Sequence, residues 1–206
     1  MDKPTEAYRD ACLLVVDKAS GVPTQSTKSN VKGLHEQLKA CYPYVGLHHR
    51  LDQPTSGLVL FTLEPDANRA IANGFRNHNI QRTYLAVMAG RVSSGQWNQN
   101  IDGKSACTHI TALSYKDGMS TVKLTLETGR THQIRLHAAQ NGHPVLGDRR
   151  YGAQWGKAWS RIALHATRLT LRHPMTNQPL SIHSPVPPDL QELWSLCGGP
   201  DTIEES

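Results

Sequence analysis

Short β-type runs separated by turn signals are the feature of this sequence that most limits its fold. Residues 112–115 and 121–126 have strand composition and flank Asp117-Gly118, a dipeptide typical of a tight β-hairpin. Residues 58–63 form a run of strand length that is apolar except for Thr62, which predicts a strand buried on both faces. The chain is therefore expected to build a sheet from short, locally connected strands.

Helical patterns occur between these strands. Helices are predicted over residues 31–41, 66–76 and 131–141, the last with Thr131 as N-cap and Gly142 just beyond its end. A polar stretch over residues 93–105 predicts a loop. Further strands are predicted at residues 13–16, 83–89, 164–172 and 180–183. Together the elements predict an α+β fold with a mixed, mostly antiparallel β-sheet and flanking helices.

The length of 206 residues suits one domain, expected to span residues 1–206 with a core from about 10 to 190. Residues 198–206 are expected to be a disordered tail. The longest clean apolar runs are far shorter than the roughly 20 residues that a membrane helix needs. The N-terminus lacks the pattern of a signal peptide, so we expect a cytoplasmic protein, and we expect a monomer.

The cysteines and histidines do not predict a metal site. The four cysteines are Cys12, Cys41, Cys107 and Cys197. No two of them form a Cys-x-x-Cys pair, which favours free thiols in a reducing compartment. Cys107 with His109, and His132 with His137, do not match the spacing of common zinc ligands either. We therefore expect no metal site.

Positive charge is concentrated in the middle of the chain. The net charge is +5, but residues 130–173 hold eight Lys and Arg against the single acid Asp148, while residues 174–206 hold five acids and no Lys or Arg. A basic stretch of this kind indicates a polyanion partner, with nucleic acid first. A solvated face balanced by the acidic tail is the alternative, and charge alone leaves it open.

The segment from His48 to Gly57 holds the first candidate for chemistry. Pro54 disfavours a helical residue before it, so Asp52 should end a strand over residues 45–51, at a turn on the rim of the sheet. An aspartate before Thr-Ser-Gly caps a turn more often than it catalyses a reaction. Both interpretations stay open from the local sequence.

The segment from Thr128 to Arg135 holds the second candidate. Its Gly-Arg-Thr entry to a helix can bind a phosphate or simply cap the helix. Arg135 shares a helix face with small residues, so it should be partly buried and need a carboxylate. Asp52 is the partner that we expect, and such a pair would keep Asp52 ionised.

The third candidate is Tyr84, which shares a predicted strand face with Arg82. A tyrosine on a strand usually packs in the core. Beside an arginine it can instead stack on a nucleobase.

These segments occur in an order and with a spacing that resemble the RluA family of RNA pseudouridine synthases, in a short form without an S4 domain. The resemblance runs from about residue 10 to 190. It is carried by His49-Arg50-Leu51-Asp52, Thr55-Ser56-Gly57-Leu58, Arg82-Thr83-Tyr84, Thr128-Gly129-Arg130-Thr131-His132-Gln133-Ile134-Arg135, Gly142-His143-Pro144 and Gly147-Asp148-Arg149-Arg150-Tyr151-Gly152.

The resemblance implies isomerisation of uridine to pseudouridine in structured ribosomal or transfer RNA, without cofactor or metal, on a sheet crossed by a central cleft. It implies that Asp52 is the catalytic aspartate, Tyr84 the active-site tyrosine and Arg135 the arginine that pairs with the aspartate. The residues expected to bind RNA are Arg50, Arg82, Arg130, His132, Arg149 and Arg150.

Two other functions compete with this interpretation. The first is an RNA-binding or RNA-folding module that keeps the fold but catalyses nothing, which a missing Asp52, Tyr84 or Arg135 would have favoured. The second is a glycoside hydrolase, which normally needs two catalytic acids, whereas the motif regions offer only Asp52 and Asp148.

Overall fold

The computed structural model describes residues 4–26 and 31–200. The chain groups into two compact units. The first unit comprises Met1–Arg82 and Ala166–Ser184, and the second comprises Thr83–His165 and Pro185–Ser206. That residues 1–206 form one domain with a core from about 10 to 190 stays a prediction.

The strands and helices have the following bounds. The strands are β1 Thr5–Arg9, β2 Leu13–Lys18, β3 Gly46–Leu47, β4 Ser56–Thr62, β5 Gln81–Ala89, β6 Gly95–Trp97, β7 Thr108–Lys116, β8 Met119–Leu126, β9 Leu164–Arg172 and β10 Pro179–His183. The α-helices are α1 Leu34–Lys39, α2 Ala67–Arg76, α3 Gln133–Gln140 and α4 Pro188–Leu196, and a 3₁₀ helix spans Ala153–Lys157.

In the first unit the strand order is β1-β2-β4-β9, with β3 also paired to β4 and β10 to β9. The β1–β2, β2–β4, β3–β4 and β9–β10 pairs are antiparallel. All seven residues of β4 are buried, as the apolar run Leu58–Phe61 at its centre predicts. Helix α2 packs Ala67 and Ile71 on the core that Leu58 and Leu60 of β4 provide.

A glycine sets how closely two strands of the first unit approach. Gly57 has φ +112°, and a Cβ atom there would lie 2.3 Å from the carbonyl oxygen of Ala166. No other residue type allows both this backbone conformation and this separation. Gly57 therefore fixes the start of β4 against β9, a few residues after Asp52.

In the second unit the strand order is β5-β8-β7-β6. The antiparallel β7–β8 hairpin turns through Asp117 (φ 49°) and Gly118 (φ 78°), both in the left-handed region, as the Asp-Gly dipeptide predicts. Helix α3 buries Ile134, Arg135 and Ala138. Helix α4 buries Leu190, Leu193 and Trp194.

Four sequence-based expectations need correction. The predicted loop over residues 93–105 contains β6, whose three residues pair with β7. Helix α3 begins one residue later than expected, with His132 (φ 55°) rather than Thr131 as N-cap. Within residues 45–51, only Gly46–Leu47 form a strand.

The fourth correction concerns the C-terminal tail. The backbone N–H of Gly199 donates to the Trp194 carbonyl (2.8 Å), and the Trp194 indole donates to the Pro200 carbonyl (3.0 Å). Residues 198–200 are thus ordered against α4, and the rest of the predicted tail lies outside the described residues.

The fold class is confirmed as α+β with mostly antiparallel strand pairing. Among the described residues, no helix has the length and apolar character needed to cross a membrane.

Candidate active site

Asp52 lies in a turn directly before β4, as Pro54 predicts. Its carbonyl oxygen accepts a hydrogen bond from the backbone N–H of Thr55 (3.1 Å), which closes the turn. The Asp52 side chain is half-buried, the neighbouring Arg50 is exposed and Leu51 is 5% exposed. Leu51 therefore anchors the segment in the core, and the polar side chains on either side of it stay within reach of solvent.

Two polar side chains fix the backbone on either side of Asp52. The Thr24 hydroxyl donates to the carbonyl of Leu51 (2.8 Å) and accepts from its backbone N–H (3.1 Å). The Lys18 ammonium is 1% exposed and donates to the carbonyls of Ala19, Val22 and Gln53. A buried ammonium needs such acceptors, so these bonds hold the Asp52 turn to the loop after β2.

His49 supports the same segment from the core side. Its Nε2 accepts a hydrogen bond from the backbone N–H of Leu60 (2.8 Å), and its ring packs 4.9 Å from the Phe75 ring. Burial lowers the pKa of His49 to about 3, with the nearby Arg82 and His48 adding to the shift. His49 is therefore a neutral structural residue. The Arg82 guanidinium lies 5.5 Å from the centre of the Phe75 ring.

In the second unit, Arg135 is 6% exposed, as its position on a face of small residues predicts. Its Nε and Nη2 donate to the two carboxylate oxygens of Asp148, each at 2.8 Å. Asp148 is 1% exposed and also accepts from the backbone N–H groups of Arg150 and Tyr151. Burial would raise the pKa of Asp148, but Arg135 and these N–H groups lower it below its ordinary value.

The carboxylate observed on Arg135 is that of Asp148, whereas the sequence predicts Asp52 as its partner. Asp52 lies in the first unit and Arg135 in the second, and their pairing stays a prediction. The signal for Asp148 was present in the sequence, because it is the single acid among eight basic residues. A buried arginine selects the carboxylate that the fold brings to it, and this one follows thirteen residues later.

The entry to α3 depends on one buried amide. Gln133 is 3% exposed, and its Oε1 accepts from the Thr128 hydroxyl (2.7 Å) and from the backbone N–H of Arg130 (3.0 Å). Its Nε2 donates to the carbonyl of Cys107 (2.9 Å). Gln133 thus satisfies the backbone N–H of Arg130 before the helix and the Cys107 carbonyl before β7, while the N-cap residue His132 makes no side-chain capping bond.

Tyr84 and Tyr151 of the second unit lie in different environments. Tyr84 on β5 is 5% exposed, less than its predicted polar face indicates. Tyr151 is half-buried, with its hydroxyl 2.9 Å from His132 Nδ1 and its ring 5.1 Å from the Arg135 guanidinium carbon. His132, expected to bind RNA, is therefore held against Tyr151.

The predicted RNA-binding arginines of the second unit are exposed but differ in their surroundings. Arg130 donates through Nε to the Ser105 carbonyl (2.9 Å), and the Arg150 guanidinium lies 5.2 Å from the centre of the Tyr151 ring. Arg149 lines an open cavity of about 770 Å³ together with Lys157 and Trp159. Cations next to an accessible aromatic ring suit a ligand that combines phosphate and base.

Comparison with known proteins identifies the family of this chain. Residues 12–140 match the family model described as RNA pseudouridylate synthase. The dual-specificity RNA pseudouridine synthase RluA of Pasteurella multocida is 34% identical over 212 residues, covering 88% of this chain and 95% of that protein. The ribosomal large subunit pseudouridine synthase D of Vibrio vulnificus is 32% identical, covering 90% of this chain and 68% of that protein.

A solved structure gives the same result for the fold. The human RNA pseudouridylate synthase domain containing 1 aligns with a TM-score of 0.76 at 27% identity, covering 99% of this chain and 91% of that chain. The resemblance seen in the sequence motifs thus extends over nearly the whole chain. The chain belongs to the RluA family of RNA pseudouridine synthases, isomerases that form pseudouridine in RNA.

Proposed function

We propose that this protein isomerises uridine in structured ribosomal or transfer RNA, with Asp52 as the catalytic carboxylate. The observation that carries the proposal is the position of Asp52. Its side chain is half-buried, and the backbone on either side of it is fixed by Thr24 and Lys18. Catalytic groups need this combination of access and fixed position.

The reaction breaks the N1–C1′ bond of uridine, turns the uracil and joins C5 to C1′, and the proton on C5 moves to N1. Substrate and product are isomers, so no co-substrate is consumed. The carboxylate of Asp52 can attack the sugar as uracil leaves, or assist that departure and then take the C5 proton. Both routes need Asp52 ionised.

Two further residues are proposed to serve this reaction on the basis of the family motifs. Tyr84 would hold the detached uracil by stacking, and Arg135 would orient the catalytic aspartate. The carboxylate of Asp148 fixes the Arg135 guanidinium in a single orientation, with two hydrogen bonds of 2.8 Å. This supports a positioning role for Arg135.

RNA binding is proposed to rely on Arg50 and five further basic residues. Reaching a base inside a duplex requires it to leave the stack, at a cost of a few kcal/mol. Arg50 beside Asp52 is exposed and can fill or brace the space that the base leaves. Arg82, Arg130, His132, Arg149 and Arg150 are proposed to contact RNA independently of its sequence. The protein is proposed to act as a monomer in the cytoplasm. Its four cysteines are free thiols, which supports a reducing compartment.

The test is incubation of the purified protein with ribosomal RNA and transfer RNA, in separate reactions, from cells without their own pseudouridines. Carbodiimide labelling and primer extension then locate modified uridines. New stops with wild type that disappear with Asp52→Asn are the expected result. Asp66→Asn is the matched control, since Asp66 is exposed and its side chain makes no capping bond to α2.

Two outcomes would contradict the proposal. Stops that persist with Asp52→Asn would remove Asp52 from its role. No stops with either RNA, together with salt-sensitive RNA binding, would favour a non-catalytic RNA-binding module. The class of RNA that gains stops identifies the substrate.

A further inference from the structure

One face of the β6-β7-β8 sheet in the second unit gathers four polar side chains outside the motifs above. Cys107 and His109 are two residues apart and so share a face at the start of β7. The backbone N–H of Glu127, just after β8, donates to the carbonyl of Cys107 (3.3 Å), which sets Glu127 opposite Cys107. On the other side of β7, Gln96 pairs with His109.

The ligating atoms of three of these residues lie close together. Cys107 Sγ is 3.7 Å from His109 Nε2, and His109 Nε2 is in hydrogen-bond contact with Glu127 Oε1. All three atoms lie within 4.8 Å of one another. Around a tetrahedral zinc ion, bonds of about 2.3 Å to sulfur and about 2.0–2.1 Å to nitrogen separate the two ligand atoms by about 3.6 Å.

We propose that Cys107, His109 and Glu127 form a binding site for a divalent transition-metal ion of the zinc type, with solvent as the fourth ligand. The Cys107–His109 separation already matches the ion, and the half-exposed His109 and exposed Glu127 give it access from solvent. Thiolate, imidazole and carboxylate together favour zinc over magnesium or calcium. Sequence spacing did not predict the site because Glu127 comes from the neighbouring strand.

The tautomer of His109 can adapt to an ion. Its Nδ1 lies 2.9 Å from the side-chain amide nitrogen of Gln96. The Gln96 amide is exposed and can turn over to present its oxygen, so that Nδ1 carries the proton and donates to it. Nε2 is then free for the ion, and Gln96 supplies the outer hydrogen bond that metal-binding histidines usually make.

A second cluster of similar composition lacks this property and serves as an internal contrast. In the first unit, Asp10, Cys12 and His173 also bring their ligating atoms within 4.8 Å of one another. There Nδ1 of His173 faces the backbone N–H groups of Met175 (3.3 Å) and Thr176 (3.2 Å). Nδ1 must accept, so Nε2 carries the proton, which it donates to Asp10 (2.8 Å). A metal ion would need that same nitrogen.

Binding at the Cys107 site would reach the entry of α3 through the backbone. The Cys107 N–H donates to the Thr128 hydroxyl (3.0 Å), and the Cys107 carbonyl accepts from Gln133 (2.9 Å). An ion on Cys107 is therefore expected to raise the melting temperature, because it binds the folded state in preference to the unfolded one.

The test is titration of chelator-treated, reduced protein with ZnCl₂ by calorimetry, and with CoCl₂ by absorption spectroscopy. Wild type should bind one Zn²⁺ per chain, and the cobalt form should show a thiolate-to-cobalt charge-transfer band. Cys107→Ser should abolish the band and weaken zinc binding by at least about tenfold, and Gln96→Ala should weaken it by about 10- to 100-fold. Circular dichroism checks that each variant is folded.

The controls are Cys12→Ser, in the contrast cluster, and Cys41→Ser, which removes an exposed thiol. Both should bind as wild type does. The proposal is overturned if wild type and Cys107→Ser titrate alike, if the cobalt complex lacks the thiolate band, or if the zinc affinity depends on Cys12.

Discussion

The buried Arg135–Asp148 pair predicts a large loss of stability when its charge is removed, and the second unit contains a matched control. Arg161 and Asp189 form a second pair with the same geometry, in which Nε and Nη2 reach the two carboxylate oxygens at 2.6 and 3.1 Å. The pairs differ in burial, since the Asp148 side chain is 1% exposed and that of Asp189 is 53% exposed.

We expect Asp148→Asn to destabilise the protein by about 3–5 kcal/mol, because it leaves a buried guanidinium without its carboxylate. The asparagine oxygen can still accept from the backbone N–H groups of Arg150 and Tyr151, so the turn itself is kept. Asp189→Asn should cost no more than about 1 kcal/mol, because water reaches this pair through the 53% exposed Asp189 carboxylate, although the Arg161 side chain is 11% exposed. For a chain of this size the expected losses in melting temperature are roughly 6–20 °C and at most about 4 °C.

Urea denaturation and calorimetry measure both variants. The pKa of Asp148 is lowered from its ordinary value of 3.8 in the folded protein. Its contribution is therefore complete above pH 3.8 and is lost as the pH falls through the lower folded value. Equal losses for Asp148→Asn and Asp189→Asn, or a difference between wild type and Asp148→Asn that grows as the pH falls below 3.8, would refute the reasoning.

Three further predictions follow from the frame around Asp52. Gly57→Ala should cost about 2–5 kcal/mol in urea denaturation, because the new Cβ meets the Ala166 backbone at positive φ. Gly103→Ala is also at positive φ but lies in open space, so it should cost about 1–2 kcal/mol. Similar costs for the two variants would contradict the steric argument. Wild-type stability should fall by up to about 1.4 kcal/mol per pH unit from pH 6.5 towards the His49 pKa of about 3, because the unfolded chain takes up the proton first. His49→Gln should lose this pH dependence. A slope that persists in the variant would assign it to another group. Lys18→Met should cost about 1–3 kcal/mol, because it leaves backbone carbonyls without their donor. Lys39→Met, at the exposed end of α1, should stay within about 0.5 kcal/mol of wild type in the same assay. Equal effects of the two variants would show that the buried ammonium does not fix the turn.

Features determined by neighbouring residues were predictable from the sequence. The β7–β8 hairpin was predicted because Asp117-Gly118 satisfies its turn by itself, and the turn at Asp52 was predicted because Pro54 restricts the residue before it. Strand β6 was missed because the three residues Gly95, Gln96 and Trp97 are too few to show a periodic pattern, and they are in a strand through their pairing with β7.

Features that depend on distant residues were not predictable in the same way. Asp148 was recognised as an isolated acid, but nothing local showed that it lies against Arg135. The N-cap of α3 was assigned to Thr131 because a hydroxyl there is the usual local solution. The observed N-cap is His132, which makes no side-chain capping bond, and the buried Gln133 amide instead holds the turn before the helix. That amide also bonds to Cys107 from before β7, a contact that no window around the helix contains.

The proposed catalytic carboxylate and its supports place opposite demands on burial. As the proposed catalytic group, Asp52 needs a side chain that RNA can reach, and this side chain is half-buried. The structure fixes the Asp52 backbone through Leu51 in the core, the Thr24 hydroxyl and the Lys18 ammonium. Thr24 and Lys18 bond to backbone carbonyls of Leu51 and Gln53. The side-chain types at positions 51 and 53 therefore do not indicate these contacts. The residues that position a catalytic group can thus be absent from the motif that identifies it.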